Sequence, residues 1–138
     1  MIHWVLRLTL ILVWTLNAAK PNFLVIVTDD QRPDTIGALG NSRIDTPNLD
    51  WLVHNGITFE NFICSNPLCV PSRAEILTGC TGFRNGVLGM GGEKMNPKLI
   101  LWPAAMAAGG YSTWYSGKWM NDGKPTPRGY HETSALFT

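Results

Sequence analysis

The sequence carries almost no net charge: 11 Lys and Arg stand against 10 Asp and Glu, for a formal charge of +1. A non-specific nucleic-acid binder would show a basic excess or patch, so nucleic acid is excluded as an expected partner. There is no internal repeat, no heptad pattern and no low-complexity block, which removes solenoids, coiled coils and biased tracts. The longest apolar run is too short to span a bilayer comfortably. Histidine and cysteine are scarce, with 3 of each in 138 residues. That length allows one small domain.

What is present begins with a targeting pattern. MIHWVLR brings Arg7 and the free amino terminus, LTLILVWTL is a short apolar core, and NAA supplies small residues. Residues 1–19 therefore read as a signal peptide, cleaved after Ala18 or Ala19, with an uncleaved anchor as the alternative. The expected location is exported, periplasmic or secreted, with no membrane association beyond the signal. Export permits disulfides. Three cysteines, Cys64, Cys69 and Cys80, leave at least one unpaired within a monomer.

Residues 20–138 alternate element types. Phe23 to Val27 is a continuous apolar run rich in β-branched residues and predicts a strand buried on both faces. It ends at Asp29-Asp30, two carboxylates at the strand's carboxyl end, the edge where open α/β sheets bind ligands. DTPNLDWLVHNG predicts a helix, with Thr46 as cap, Pro47 in the first turn, Leu49, Leu52 and Val53 as the apolar stripe and Gly56 as terminator. ITFENFIC gives a weaker strand signal. A helix is expected from near Pro71 through AEILTG, another within LILWPAAMAAGG, and a strand at YSTWYSGKW. The order predicts an α/β fold, part of a mixed, mostly parallel sheet flanked by helices.

The stretch PLCVPSRAEILTG carries the chemistry. A buried cysteine needs no such neighbours, and a metal-binding cysteine usually has another cysteine or a histidine close by. Pro71 suits a first helical turn, which places residue 69 just before a helix amino terminus, where free N–H groups favour an anion. Arg73 follows within that turn and can reach back with several fixed donors. Taken with VTDDQRPDTIGALG, TPNLDWL, FRNGV and GKW, in that order, Cys69-Val70-Pro71-Ser72-Arg73 resembles the amino-terminal part of the formylglycine-dependent sulfatases of the alkaline phosphatase superfamily. The resemblance covers nearly all of residues 20–138 and implies an incomplete alkaline phosphatase-like catalytic domain.

It also implies that Cys69 is oxidised to an aldehyde by a formylglycine-generating enzyme. One hydroxyl of the hydrated aldehyde then attacks the sulfur of a sulfate ester, and the second drives release of sulfate. The metal site implied is Asp29, Asp30 and residue 69 around a divalent cation, usually calcium. Lys118 of SGKW matches the family lysine that contacts the sulfate, which makes Cys69, Arg73 and Lys118 the expected catalytic group. The substrate implied is a sulfate ester, with a sulfated carbohydrate the expectation from export.

The match has departures. Met120 stands where many members have histidine, and methionine cannot shuttle a proton. His54 falls on the expected helix, and His131 near the end of the sequence; neither obviously replaces it. Cys80 stands where the family often has arginine, and Cys64 and Cys80 either pair or remain reduced. Family catalytic domains are much longer and normally add a histidine, a second acidic or amide pair and another lysine. These 138 residues are accordingly expected to hold half a site and to show little or no turnover alone. A phosphonate or phosphodiester hydrolase of the same superfamily, and a non-catalytic remnant, are the alternatives.

Overall fold

The computed structural model describes residues 19–137. All but the last residue of the expected signal peptide lies outside that range. The chain divides into two compact units, Met1–Thr58 and Phe59–Thr138.

In the first unit, residues 19–28 run without regular structure, and Phe23 to Val27 are 47–85% exposed. The strand expected there is not formed. A parallel strand needs a neighbour for its N–H and C=O groups, and the described residues of this unit contain no strand to supply one. The rest of the unit is a clamp between short 3-10 turns, Pro33–Thr35 and Gly37–Leu39, and helix α1, Pro47–Asn55. Thr46 precedes α1 as expected, but its hydroxyl does not cap the helix. It accepts the Gly37 N–H at 2.7 Å and donates to Asp50 Oδ1 at 2.8 Å. Asp50 Oδ1 also accepts the Ala38 N–H at 2.8 Å. That backbone bond, and then the Thr46 hydroxyl, hold the Asp50 carboxyl below its ordinary value. Gly56 closes α1 as expected, its N–H meeting the Leu52 carbonyl at 2.9 Å.

The second unit holds helices α2 (Cys69–Thr78), α3 (Gly82–Asn85) and α4 (Trp102–Ala108), strands β1 (Trp114–Lys118) and β2 (Glu132–Phe137), and a 3-10 turn, Thr126–Arg128. The strand expected over ITFENFIC is also not formed: Phe59, Phe62 and Ile63 stand 72–85% exposed. Pro71, Ala74 and Leu77, spaced at three, form the buried face of α2. With Val87, Met95, Leu101, Trp119 and Tyr130, Ala74 and Leu77 make the core. The two strands pair in parallel, Trp114 opposite Glu132 and Lys118 opposite Phe137, with an irregularity between Ser116 and Gly117. This small parallel sheet beside helices is a partial α/β fold.

Candidate active site

Helix α2 begins at Cys69 itself, after Leu68 in an extended conformation, one residue earlier than the sequence implies. Pro71 is its third residue. The first turn tolerates proline because its N–H groups have no intrahelical acceptor in any case. The helix ladder starts with Ser72, whose N–H meets the Leu68 carbonyl at 3.0 Å. Residue 69 therefore sits at the positive end of a ten-residue helix.

Lys118 arrives from the opposite direction, at the end of β1. Gly117 takes a φ of 104°, which a side chain would resist, and the register slips there, so the strand turns as it reaches Lys118. The Lys118 ammonium lies 3.4 Å from the Cys69 sulfur. Arg73, one turn into α2, donates from Nη1 to the Lys118 carbonyl at 2.9 Å. Its Nε is buried with no partner among the described residues. The Tyr115 hydroxyl donates to the same Lys118 carbonyl. Lys118 Nζ and a helix amino terminus thus meet at one half-buried thiol, with Arg73 tied to the Lys118 carbonyl, an arrangement suited to an anion bound at residue 69.

The wall behind Lys118 is aromatic. Tyr115 meets Trp119 edge-on at 5.1 Å and Tyr130 at 5.2 Å, and Tyr130 meets Trp102 at 6.2 Å. Burial, and then the neighbouring Tyr115, push the Tyr130 phenol well above its ordinary value, so it stays neutral.

Asp29 and Asp30 belong to the first unit. Both are exposed, and Asp30 takes a left-handed φ of 57°. Among the described residues no three His, Cys, Asp or Glu side chains form a ready-made metal cluster. The pair is nevertheless the right donor chemistry for a hard cation, two of the roughly six to eight oxygens that calcium takes. His54 lies exposed in the last turn of α1. His131 Nδ1 accepts the Thr113 N–H at 3.1 Å, so it braces the start of β2. Met120 occupies a left-handed position, φ 49°, in the turn after Trp119. Cys64, Cys69 and Cys80 are unpaired in this structure.

Sequence reasoning did not single out Tyr115. Its bond to Lys118 spans three residues and depends on the bend at Gly117, which composition does not reveal. Asn85 also went unremarked within FRNGV, although it is fully buried and ties three backbone or hydroxyl groups together.

The sulfatase family model matches residues 21–135. Human arylsulfatase D is 35% identical over 129 residues, 85% of this chain and 21% of the relative. Human N-acetylgalactosamine-6-sulfatase is 36% identical over 111 residues, 72% of this chain and 21% of the relative. The ulvan-active sulfatase of Formosa agariphila is 34% identical over 104 residues, 75% of this chain and 20% of the relative. The chain spans about a fifth of the length of these curated relatives. That match over nearly all the described residues places the chain in the sulfatase family.

Proposed function

We infer that this chain contributes a nucleophile, its two cationic partners and part of a divalent-cation site to a sulfuric ester hydrolase. The observation that carries the reading is Lys118 Nζ at 3.4 Å from Cys69 Sγ, with Arg73 bound to the Lys118 carbonyl. Cys69 is the residue converted by a formylglycine-generating enzyme to an aldehyde, whose hydrate offers two hydroxyls. The first attacks sulfur: an O–S bond forms, the ester S–O bond breaks, and the alcohol leaves with a proton. The second hydroxyl then loses its proton, the C–O bond to sulfate breaks, and the aldehyde returns. A serine could perform the first step but has no second hydroxyl for the release.

Arg73 and Lys118 hold sulfate oxygens and meet the charge that develops on them. With Met120 in place of a histidine, Lys118 is the proton-bearing side chain in contact with residue 69. Asp29 and Asp30 would hold part of the shell of calcium, which when bound draws charge from a sulfate oxygen. Residues 1–19 act as a signal peptide and the protein works after export. A carbohydrate sulfate ester is the substrate class, in keeping with two relatives named for N-acetylgalactosamine and ulvan.

The test is co-expression with a formylglycine-generating enzyme, mass spectrometry of the peptide containing residue 69, and turnover of aryl sulfate and phosphodiester by the gene product. An aldehyde at residue 69, with sulfate turnover abolished by Cys69→Ala, is expected. A thiol that persists at residue 69 overturns the nucleophile, and turnover confined to phosphodiesters overturns the sulfate ester.

A further inference from the structure

We propose that Tyr115 is the positioning residue of this site: its hydroxyl and the Arg73 guanidinium together grip the Lys118 carbonyl and so hold the Lys118 side chain against residue 69. The proposal rests on the reading of Cys69, Arg73 and Lys118 as one site.

The geometry supports it from three sides. The Lys118 carbonyl lies at the end of β1, just past the register slip between Ser116 and Gly117. There it accepts two donors, Arg73 Nη1 at 2.9 Å and the Tyr115 hydroxyl. The same peptide is tied to β2 by its other end, the Trp119 N–H on the Phe137 carbonyl at 2.8 Å. The Tyr115 hydroxyl is itself held in place, because its ring is wedged edge-on between Trp119 and Tyr130 at 5.1 and 5.2 Å. Such contacts restrict the ring to one orientation. The ring belongs to the core, whereas the hydroxyl belongs to the site.

The carbonyl is shared, so loss of one donor acts on the other. Without the Tyr115 hydroxyl, the Lys118 peptide keeps its tie to β2 through the Trp119 N–H, but its carbonyl is left to Arg73 alone and can tilt about that tie and the flexible Gly117. Lys118 Nζ then spends less time at Cys69, and Arg73 follows the carbonyl it is bound to. Tyr115 touches neither residue 69 nor an anion bound there; it acts through Lys118 and Arg73.

The experiment uses the full chain with residue 69 as the thiol, and o-phthalaldehyde as probe. This reagent joins an amine and a thiol about a bond length beyond contact into a fluorescent isoindole, with loss of water. It therefore reads the Cys69–Lys118 approach without substrate, metal or aldehyde. The Cys69→Ser chain gives the background from other amine and thiol pairs. Tyr115→Phe is expected to lower the Cys69-dependent fluorescence about three- to tenfold, the population change that corresponds to one net hydrogen bond. Trp102→Phe weakens the Trp102–Tyr130 contact behind the same cluster; it lowers the melting temperature but leaves the isoindole yield unchanged. Wild-type yield from Tyr115→Phe overturns the proposal, as does a Trp102→Phe chain that loses yield to the same degree, because Tyr115 would then matter only as core. If the wild-type chain gives no Cys69-dependent isoindole, the pairing of Cys69 with Lys118 fails, and the reading of the site falls with it.

Discussion

Replacing Asn85 with alanine tests whether a single buried side chain holds the turn that follows α2. Asn85 is fully buried between α3 and the segment after it. Its Oδ1 accepts the Val87 N–H at 2.8 Å, and its Nδ2 donates to the Cys80 carbonyl at 2.9 Å and more weakly to the Thr78 hydroxyl at 3.4 Å. Truncation leaves the buried Val87 N–H without a partner, at about 1–3 kcal/mol. The Cys80 carbonyl is half-buried and recovers part of its loss from water. With the small cavity added, the expected cost is about 2–4 kcal/mol. That is a large part of the stability of a unit this small, which belongs near the low end of the usual range of about 5–15 kcal/mol.

Urea unfolding followed by tryptophan fluorescence measures the cost, with an unchanged m-value as the sign that both states keep their extent. Asn85→Asp sharpens the test. It keeps the acceptor for Val87 but turns a second acceptor toward the Cys80 carbonyl. Burial beside a carbonyl raises the folded-state pKa of the new carboxyl above its unfolded value. The variant's deficit is therefore greatest at neutral pH and shrinks as pH falls through that raised value, when the acid can donate to Cys80. A cost of Asn85→Ala below about 1 kcal/mol, or a deficit of Asn85→Asp that does not change with pH, would refute the reasoning.

Two further outcomes follow from packing and from the Asp50 clamp. A Cβ at Gly129, whose φ is +100°, would come within 2.3 Å of the Ala104 backbone nitrogen, so Gly129→Ala should cost about 1–3 kcal/mol and lower the melting temperature by several degrees. Asp50 has a folded-state pKa below 3.8, so the stability it gives the first unit is fully present above that value and is lost as pH falls through the depressed one. In an NMR titration the Ala38 amide should shift with a midpoint below 3.8, and the shift should vanish in Asp50→Asn; a midpoint at or above 3.8 would contradict the clamp.

The elements that were legible in the sequence are those whose signals are local. Helix α1 begins at Pro47 and ends before Gly56, as its terminal residues indicate, and α2, α4 and β1 lie within the stretches that predicted them. Strand β2 passed unnoticed because its ladder is made with residues eighteen positions away, Trp114 against Glu132, and ETSALF has no clear alternation of its own. The site shows the same division. Residue types and spacing named Cys69, Arg73 and Lys118, because anion chemistry at a helix end restricts which side chains serve. They could not show that Arg73 reaches Lys118 through a backbone carbonyl, because that depends on the bend at Gly117 and the packing of Trp119.

Phe23 to Val27 is the most informative disagreement. A run of five apolar residues specifies burial, and burial was read as a strand; pairing, however, is a property of two segments. With no partner strand among the described residues of its unit, the run stays extended and exposed, its apolar faces uncovered. Asp29 and Asp30 follow after Thr28, at the end of a run that has no regular structure. The residue 69 half of the site rests on regular elements instead. Its cations are set by α2, β1 and the aromatic wall between Tyr115 and Tyr130, all inside one compact unit. The Cys69–Lys118 contact is thus assembled inside one compact unit although its partners lie far apart in sequence, whereas Asp29 and Asp30 follow a run with no strand partner among the described residues of its unit. Probes of residue 69 therefore report on the docking of β1 against α2 whether or not a divalent cation is present.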